Sequence, residues 1–396
     1  MNWIEGYLME LKKAIAITAV CMTTLASAAG CSLKKDSGSN MRDITTQQVI
    51  EEMGVGINLG NTFESCGDWI NSSSVTNYET GWGSCVITKE CIKGMADAGF
   101  GVLRVPVAWS NMMSDDGKYT LSDEYVKRVK EVVGWALDDG MYVIMNIHWD
   151  GGWWTDFPTD YDECMKHYTT VWTQLCKEFG SYGDKLMFES LNEEGCWDSV
   201  WNQWSGSDSG KEEAYGYLND INQKFVDIVR KSGGNNAKRH LLIAGYATDI
   251  GLTCDDAYKM PDDPAKRCAV SVHYYTPSTF CILEADADWG KAKATWGTDA
   301  DYAELNRNMD KVCEKFTENG VPVIIGEYGV ATGNKDMAEV REYIGAVASA
   351  ATERKMCPVL WDTWDNTNKR GFYDRVNCVF SDTELLDAIM AAKKTK

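Results

Sequence analysis

The sequence predicts an α/β protein in which eight strands alternate with eight helices and close into a single barrel. Eight short runs are almost wholly apolar, which is typical of parallel strands that are covered on both faces. Helical patterns of apolar residues separate these runs. The chain has 396 residues, 44% of them hydrophobic, and is therefore long enough for one barrel with a large core.

The strands are predicted from apolar runs that end at polar or turn-forming residues. In chain order they cover residues 55–58, 102–105, 142–147, 186–190, 241–244, 269–272, 323–325 and 359–361.

The helices are predicted from apolar residues that recur every three to four positions. A leading helix at 45–53 precedes the first strand, and the helix at 87–98 has Thr88 as its N-terminal cap and Gly99 as its stop. The fifth crossover, near 253–259, is short and poorly formed. The other predicted helices cover 122–139, 161–179, 217–231, 302–319, 337–355 and 383–393.

Two nucleotide-binding halves of Rossmann type are the alternative to a barrel. Gly54, Gly56 and Gly60 lie around the first strand, but their spacing is not that of a dinucleotide-binding loop. The sequence contains no short repeat and no appended module. It therefore favours one TIM barrel over residues 43–396.

The N-terminus has the pattern of an export signal. Lys12 and Lys13 precede an apolar run over 14–29, which is too short for a transmembrane span. Ser27-Ala-Ala-Gly-Cys31 resembles a bacterial lipoprotein processing site, with Ala28 where Leu is usual; ordinary signal cleavage is the alternative. We expect a signal peptide at 1–31 with lipidated Cys31, a flexible tether at 32–42, and an extracellular or cell-surface protein that contacts membrane only through the lipid.

Composition excludes some partners and favours others. The net charge of −20 is spread along the chain and argues against a nucleic-acid partner. The 14 cysteines form no CxxC pair, so we expect no metal site and no cofactor, while disulfide pairing stays open. Tryptophan is abundant, and indole rings suit stacking on sugars. Some of the tryptophans in the loops after strands 3 and 4 should be core, and at least one or two should line a cleft; the candidates are Trp153, Trp154, Trp197, Trp201 and Trp204.

Polar side chains cluster where the predicted strands end. In a TIM barrel the active site lies at the carboxyl ends of the strands. The residues at these ends are Asn58 and Asn61, Arg104, Asn146 and His148, Asn192 and Glu193, His273, Tyr274 and Tyr275, Glu327, and Trp361 with Asp362.

Two glutamates at the ends of two buried strands suggest catalysis by paired carboxylates. In double-displacement glycoside hydrolysis one carboxylic acid protonates the leaving oxygen, and the other attacks the anomeric carbon. The attacking carboxylate must stay ionised, and a cation such as Arg104 would favour that state. We therefore expect Glu193 and Glu327 to face each other at about 5 Å.

The motifs at these strand ends resemble those of glycoside hydrolase family 5, and most closely its endo-β-1,4-glucanase branch. The resemblance covers the whole mature chain. It is carried by Gly56-Ile-Asn-Leu-Gly-Asn-Thr62, His148 after Val143-Ile-Met-Asn-Ile, Phe188-Glu-Ser-Leu-Asn-Glu193, His273-Tyr-Tyr275 and Gly326-Glu-Tyr-Gly329.

The resemblance implies a role for each matching residue. It implies that Glu193 is the acid/base and Glu327 the nucleophile. Arg104 and Tyr275 would hold the nucleophile, and His273 would contact the acid/base.

The resemblance also implies residues that bind the sugar. Asn192 would bond the 2-hydroxyl, and His148 and Trp361 would line the subsite beside the cleaved bond. Asn58, at the end of the first strand, is expected to support the site.

Three positions depart from the family pattern. Glu194 replaces the usual Pro after the acid, and Trp149 replaces a second His after His148. Strand 8 offers two candidates for the aromatic wall, Trp361 and Trp364.

Other polar residues near the site are interpreted as structural. In a regular strand Glu189 would lie about 13 Å deeper than Glu193, too deep to reach a substrate, and is expected to pair with a buried cation. Outside the strand ends, His167 and His240 are also taken as structural.

The sequence thus predicts a monomeric, retaining endo-β-1,4-glucanase that acts on cellulose and related β-glucans such as lichenan and xyloglucan. The alternative within the family is a β-mannanase. The alternative outside it is a non-catalytic lipoprotein that captures glucans.

Overall fold

A computed structural model describes residues 40–195, 197–364 and 371–394. The predicted signal peptide, Cys31 and most of the predicted tether lie outside the described residues. Among those that are described, no helix has the length and apolar character that crossing a membrane requires.

Eight parallel strands form a closed barrel, and each strand pairs with the next one along the chain. The barrel closes where Gly56 of the first strand pairs with Val359 of the eighth. The predicted fold class is therefore confirmed. The strands are β1 Gly56–Asn58, β2 Val102–Val105, β3 Tyr142–Asn146, β4 Leu186–Glu189, β5 Leu241–Ala244, β6 Cys268–Tyr274, β7 Val323–Tyr328 and β8 Cys357–Leu360.

Helices cover the outside of the barrel. The fifth crossover is short, as predicted, but its α-helix, α7, has four residues and ends at Thr253, where the predicted segment begins. The helices are α1 Thr46–Met53, α2 Val75–Glu79, α3 Lys89–Asp97, α4 Asp123–Asp138, α5 Tyr161–Glu178, α6 Lys211–Lys231, α7 Ile250–Thr253, α8 Ser278–Cys281, α9 Asp299–Lys315, α10 Met337–Glu353 and α11 Thr383–Ala391. A two-stranded hairpin, β9 Tyr373–Asp374 and β10 Val379–Phe380, precedes α11.

The predicted bounds are wrong where polar residues extend an element. β6 and β7 run on through His273 and Glu327, because paired backbone continues past the apolar run. α6 begins at Lys211 rather than at 217, since Ala214 and Tyr215 continue its buried face. The hairpin was not predicted, because its strands are too short to show a period of two.

The barrel interior has an apolar floor. Val49, Ile50 and Met53 of α1 pack against the inward side chains at the amino ends of the strands. We call this cluster the barrel floor; its strand members are Val102, Tyr142, Ile144, Met187, Leu242, Ala269, Ile324, Cys357 and Val359.

On β2, β3, β4 and β6 the inward position two residues beyond the floor is polar. Successive side chains of a strand point to opposite faces, so every second residue points inward. We call this second layer the polar layer; its members are Arg104, Asn146, Glu189 and Ser271, together with Gly326 at the same level of β7, all of them buried. The polar layer supports the carboxyl ends of the strands.

Candidate active site

Arg104 lies at the centre of the polar layer and is completely buried. Its Nε and Nη2 atoms donate to the Glu189 carboxylate at 2.7 and 3.3 Å, and its Nη1 donates to Oε1 of Glu327 at 2.8 Å. Further bonds run to Oδ1 of Asn58 at 3.0 Å and Oδ1 of Asn192 at 2.8 Å. The planar set of guanidinium donors thus links β2 to β1, β4 and β7.

Glu327 lies near the end of β7 and is only 5% exposed. In addition to Arg104, the Tyr275 hydroxyl donates to its Oε2 at 3.0 Å. Burial raises the pKa of Glu327, while electrostatic interactions with His273 and with the Arg104 cation lower it. The sequence predicts only the ionising influence of the cation; the structure adds desolvation as the larger influence.

Glu193 follows β4, and its side chain is 47% exposed. Its Oε1 lies 2.6 Å from Nδ1 of His273. Burial lowers the pKa of His273 to about 4, so at pH 7 this contact is a hydrogen bond with a neutral ring. Nε2 of His273 is buried without a partner among the described residues, which favours the tautomer that carries its hydrogen on Nδ1.

The two carboxylates face each other. One oxygen of Glu193, one oxygen of Glu327 and a ring nitrogen of His273 lie within 4.8 Å of one another. The predicted spacing of about 5 Å fits double displacement, whereas carboxylates that admit a water between them are about 6.5–9.5 Å apart. The same three groups are the donors that a divalent cation would need, but their contacts with one another and with Arg104 account for their positions.

Two asparagines are oriented by the same guanidinium. Asn58 also donates through Nδ2 to the carbonyls of Gly326 at 2.9 Å and Leu360 at 3.2 Å, and so ties β1 to β7 and β8. Asn192 is buried beside Glu193, and the bond from Arg104 to its Oδ1 sets the direction of its Nδ2 donor.

An aromatic wall stands beside the carboxylates. The rings of His148 and Trp361 are stacked at 5.9 Å with an interplanar angle of 6°. β8 ends at Leu360, so Trp361 follows the strand rather than ending it, which corrects the predicted bound. The side chain of Trp364 bonds to Asp374 instead, which favours Trp361 as the wall.

Two further glutamates lie in and after β4, Glu189 and Glu194; both are buried, but they differ in their hydrogen-bond partners. Glu189 pairs with Arg104, as predicted, and accepts from Ser271 Oγ at 3.0 Å. Oε2 of Glu194 has no partner among the described residues, and burial raises the pKa of Glu194 well above its usual value. The assumption of a regular strand up to Glu193 is wrong, because β4 ends at Glu189.

Sequence reasoning missed two small residues of the polar layer. A Cβ on Gly326 would lie 2.9 Å from both His273 Nε2 and Ser271 Oγ, so only glycine fits there. Ser271 in turn bonds Glu189. The signal that could have found both is their parity with Arg104, since each lies two residues beyond a floor residue of its strand.

It also missed a second buried ion pair, between Asp362 after β8 and Arg375 after β9. Neither side chain is exposed, and Nη2 of Arg375 donates to Oδ2 of Asp362 at 3.0 Å. Nη1 of Arg375 donates to the Gly60 carbonyl and to Thr62 Oγ1, both at 2.9 Å. The pair ties the loop after β8 to the loop after β1. No sequence pattern connects Arg375 with Gly60 and Thr62, which lie 315 and 313 residues earlier in the chain.

Most of the five tryptophans considered as candidates for the cleft are structural. Trp154, Trp197 and Trp201 are buried, and Trp153 donates to a carboxylate of its own loop at 2.8 Å. Trp204 is exposed.

The two remaining histidines are structural, as predicted. The ring of His167 lies between those of Tyr119 and Trp153, at 4.0 and 4.1 Å. His240 Nδ1 lies 2.9 Å from Thr46 Oγ1.

Comparison with known proteins gives consistent matches. The family model described as Cellulase (glycosyl hydrolase family 5) matches residues 63–367. Endoglucanase B of Clostridium cellulovorans is 34% identical over 364 residues, which are 90% of this chain and 78% of that protein.

Solved structures of family 5 enzymes are also similar to this chain. A GH5-4 broad-specificity endoglucanase from an uncultured bovine rumen ciliate is 35% identical with a TM-score of 0.80, over 89% of this chain and 99% of the other. A Bacteroides ovatus GH5 xyloglucanase, in complex with a XXXG heptasaccharide, is 30% identical with a TM-score of 0.79, over 90% and 78%.

Proposed function

This chain belongs to glycosyl hydrolase family 5. From that membership we propose a catalytic role for each of its two active-site carboxylates in an endo-β-1,4-glucanase. Glu193 is the acid/base and Glu327 the nucleophile in retaining hydrolysis of cellulose and related β-glucans, including lichenan and xyloglucan. The carrying observation is the spacing of the two carboxylates, whose nearest oxygens lie within 4.8 Å.

The surroundings of the two glutamates support this division. A nucleophile has to be ionised and held still, and Glu327 is buried on Arg104 and Tyr275. An acid/base has to reach the leaving oxygen and later a water molecule, and Glu193 is half exposed beside the neutral ring of His273.

The reaction follows from these positions. Glu327 attacks the anomeric carbon while Glu193 gives its proton to the departing glycosidic oxygen. Glu193, now a carboxylate, takes a proton from water, and that water displaces Glu327 from the glycosyl-enzyme. During both steps Asn192 is placed to donate to the 2-hydroxyl of the reacting sugar, and His148 and Trp361 line the subsite that holds this sugar.

The test compares Glu327→Ala and Glu193→Ala on an aryl β-cellobioside in the presence of azide. Each variant should lose at least about a thousandfold in activity on carboxymethyl cellulose, since each lacks one half of the mechanism. Azide should restore turnover in both. Glu327→Ala should give the α-glycosyl azide by direct attack, and Glu193→Ala the β-glycosyl azide by attack on the glycosyl-enzyme.

The matched control is Glu194→Gln, which changes the adjacent buried glutamate at nearly constant size and leaves both catalytic carboxylates in place. It should retain activity. Products of the opposite stereochemistry would reverse the two roles, and initial release of the α-anomer by the unaltered enzyme would exclude retention. A panel of carboxymethyl cellulose, lichenan, xyloglucan and mannan separates a glucanase from a mannanase.

We further propose that the protein is exported, acts as a monomer and is anchored through Cys31. Lys12, Lys13 and the apolar run at 14–29 support export, and Ser27-Ala-Ala-Gly-Cys31 supports lipidation. Radiolabelled fatty acid should enter the unaltered protein and not Cys31→Ser. Label in both would exclude Cys31 as the acceptor.

A further inference from the structure

His148 differs from the other three histidines in the way its ring is held. His167, His240 and His273 each bury Nε2 without a partner among the described residues, whereas Nε2 of His148 does not belong to that group. The ring of His148 stacks on Trp361 at 5.9 Å, and 7% of the residue stays exposed. Stacking leaves the edge of the ring, with its two nitrogens, to be placed by other contacts.

One ring nitrogen of His148 faces Asn146. Nδ1 of His148 lies 3.3 Å from Nδ2 of Asn146. The two residues follow Ile144 of the barrel floor at every second position of β3 and its extension, so all three point inward. Asn146 is completely buried, and the orientation of its amide is therefore set by protein groups.

The backbone of Val107 decides which way the Asn146 amide faces. Val107 N donates to Oδ1 of Asn146 at 3.3 Å, and the Val107 carbonyl accepts from His148 N at 2.9 Å. β2 ends at Val105, so the N–H of Val107 lies beyond the strand pairing with β3. A backbone N–H can only donate. The amide therefore presents its oxygen to Val107 and its NH₂ group to His148.

This orientation determines the tautomer of His148. Burial lowers the pKa of His148 well below its usual value, and Arg104 and His273 act in the same direction, so the ring is neutral at pH 7. A neutral imidazole has one N–H and one unprotonated nitrogen. Because the NH₂ group of Asn146 donates to Nδ1, the hydrogen of His148 is on Nε2. His273 has the opposite arrangement, with its hydrogen on Nδ1 toward Glu193.

We propose that Asn146 is a positioning residue that fixes His148 as a hydrogen-bond donor, so that Nε2–H of His148 donates to a hydroxyl oxygen of the sugar bound beside the cleaved bond. The inference rests on the proposed function, because it takes the ligand to be a glucosyl unit. A hydroxyl group can donate or accept, and here the protein selects acceptance. A sugar that lacks this oxygen would leave the N–H unpaired, so the contact discriminates between ligands.

The tautomer is measured by ¹⁵N NMR of protein labelled in histidine, which needs no activity. Protonated and unprotonated ring nitrogens have well separated shifts, and their couplings to the ring C–H groups distinguish Nδ1 from Nε2. The chain has only four histidines, and the signals of His148 are those lost in His148→Gln. At pH 7 we expect a protonated Nε2 for His148 and a protonated Nδ1 for His273, which is the internal comparison.

Asn146→Asp reverses the contact at almost constant size. A carboxylate that faces Nδ1 can only accept, so Nδ1 of His148 should become protonated, while the signals of His273 keep their pattern. Asn222→Asp is the matched control. Asn222 is also buried, but its Nδ2 donates to the Ala244 carbonyl at 2.9 Å, so its replacement should leave the protonation of His148 unchanged.

The catalytic consequence is tested by a double-mutant cycle of Asn146→Ala and His148→Ala, with kcat/KM measured on an aryl β-cellobioside. Asn146→Ala should lower kcat/KM by about five- to fiftyfold when His148 is present. In the His148→Ala background the same change should cost less than about twofold, because Asn146 acts through His148. A residue that only supports the fold would cause the same loss in both backgrounds.

Two outcomes would overturn the inference: a hydrogen on Nδ1 of His148 in the unaltered protein, or an equal loss from Asn146→Ala in both backgrounds. If the unaltered protein cleaves no β-glucan, the proposed function fails, and the NMR spectra still decide the tautomer.

Discussion

The barrel floor and the polar layer are formed by inward-pointing residues of the same strands, yet burial stabilises the first and is costly for the second. At the floor Met187 and Ile144 pack against α1 and bury apolar surface, which stabilises the fold directly. Two residues further along, Glu189 and Asn146 occupy equivalent inward positions. Charges buried there are costly, and pairing with Arg104 offsets that cost.

The difference between the apolar floor and the polar layer shows that only the carboxyl end of this barrel can hold catalytic groups. The floor is made of apolar side chains, which need no hydrogen-bond partners. Their packing excludes water and closes the amino end of the barrel. In the polar layer Glu189 depends on its neighbours, since Arg104 and Ser271 both donate to its carboxylate. The following substitutions test that contrast, from the largest expected effect to the smallest.

Arg104→Met should have the largest effect, because it removes the cation that two buried carboxylates share. We expect kcat/KM on carboxymethyl cellulose to fall by about 100- to 1,000-fold. Stability should fall by about 3–5 kcal/mol, since Glu189 is left as an uncompensated buried charge. Steady-state kinetics and urea unfolding measure the two losses, and a stable, active variant would contradict the central place given to this residue.

Arg375→Met should destabilise the protein by a similar amount, about 3–5 kcal/mol, because it leaves Asp362 buried and unpaired. Its catalytic effect should be much smaller than that of Arg104→Met. Arg375 touches the loops after β1 and β8 and no catalytic carboxylate, so KM should rise while kcat is largely kept. A collapse of kcat in the folded variant would show that the two buried arginines are not separable in this way.

Met187→Ala tests the floor alone. Truncation of this buried side chain should cost about 2–5 kcal/mol of stability through lost burial and a residual cavity. Because β4 still presents Glu189 from its end, kcat at a temperature where the variant is folded should match that of the unaltered enzyme. Thermal unfolding and kinetics at 25 °C provide the comparison; a large loss of kcat would mean that the floor positions the polar layer directly.

Tyr275→Phe should have the smallest effect, about two- to tenfold on kcat/KM at neutral pH. Burial raises the pKa of Glu327, and the nucleophile acts in its ionised form, so activity is lost as pH falls through that raised pKa. Donation from Tyr275 favours the charged carboxylate, and its removal should move the acid limb of the pH profile to higher pH. A limb that stays in place, or moves to lower pH, would contradict this assignment.

Sequence reasoning reached the eight-stranded barrel because apolar runs and helical periods are local signals. It placed Glu193 and Glu327 at strand ends for the same reason, and the structure brings their carboxylates together. Its strand bounds failed at β6 and β7, where backbone pairing continues through polar residues that a hydrophobicity criterion excludes. It did not anticipate the burial of Glu194, which looks like a surface residue in an acidic stretch.

Other contacts could not be predicted from local pattern. Trp69 is exposed and its ring lies against Gly67, and local sequence predicts neither feature, because both depend on how the loop after β1 folds. The Asp362–Arg375 pair joins segments whose sequences carry no mutual signal.

The sequence by itself determined the alternation of strands and helices, the barrel that follows from it, and the identity of the residues at the strand ends. These are properties of short segments, set by side-chain periodicity and hydrophobicity. Only the tertiary structure decided which of these residues meet. Arg104 donates to both Glu189 and Glu327. His273 bonds Glu193, and the ring of Trp361 stacks on that of His148. Burial, hydrogen bonding and pKa depend on distances between segments that are far apart in the chain, and those distances exist only once the barrel has closed.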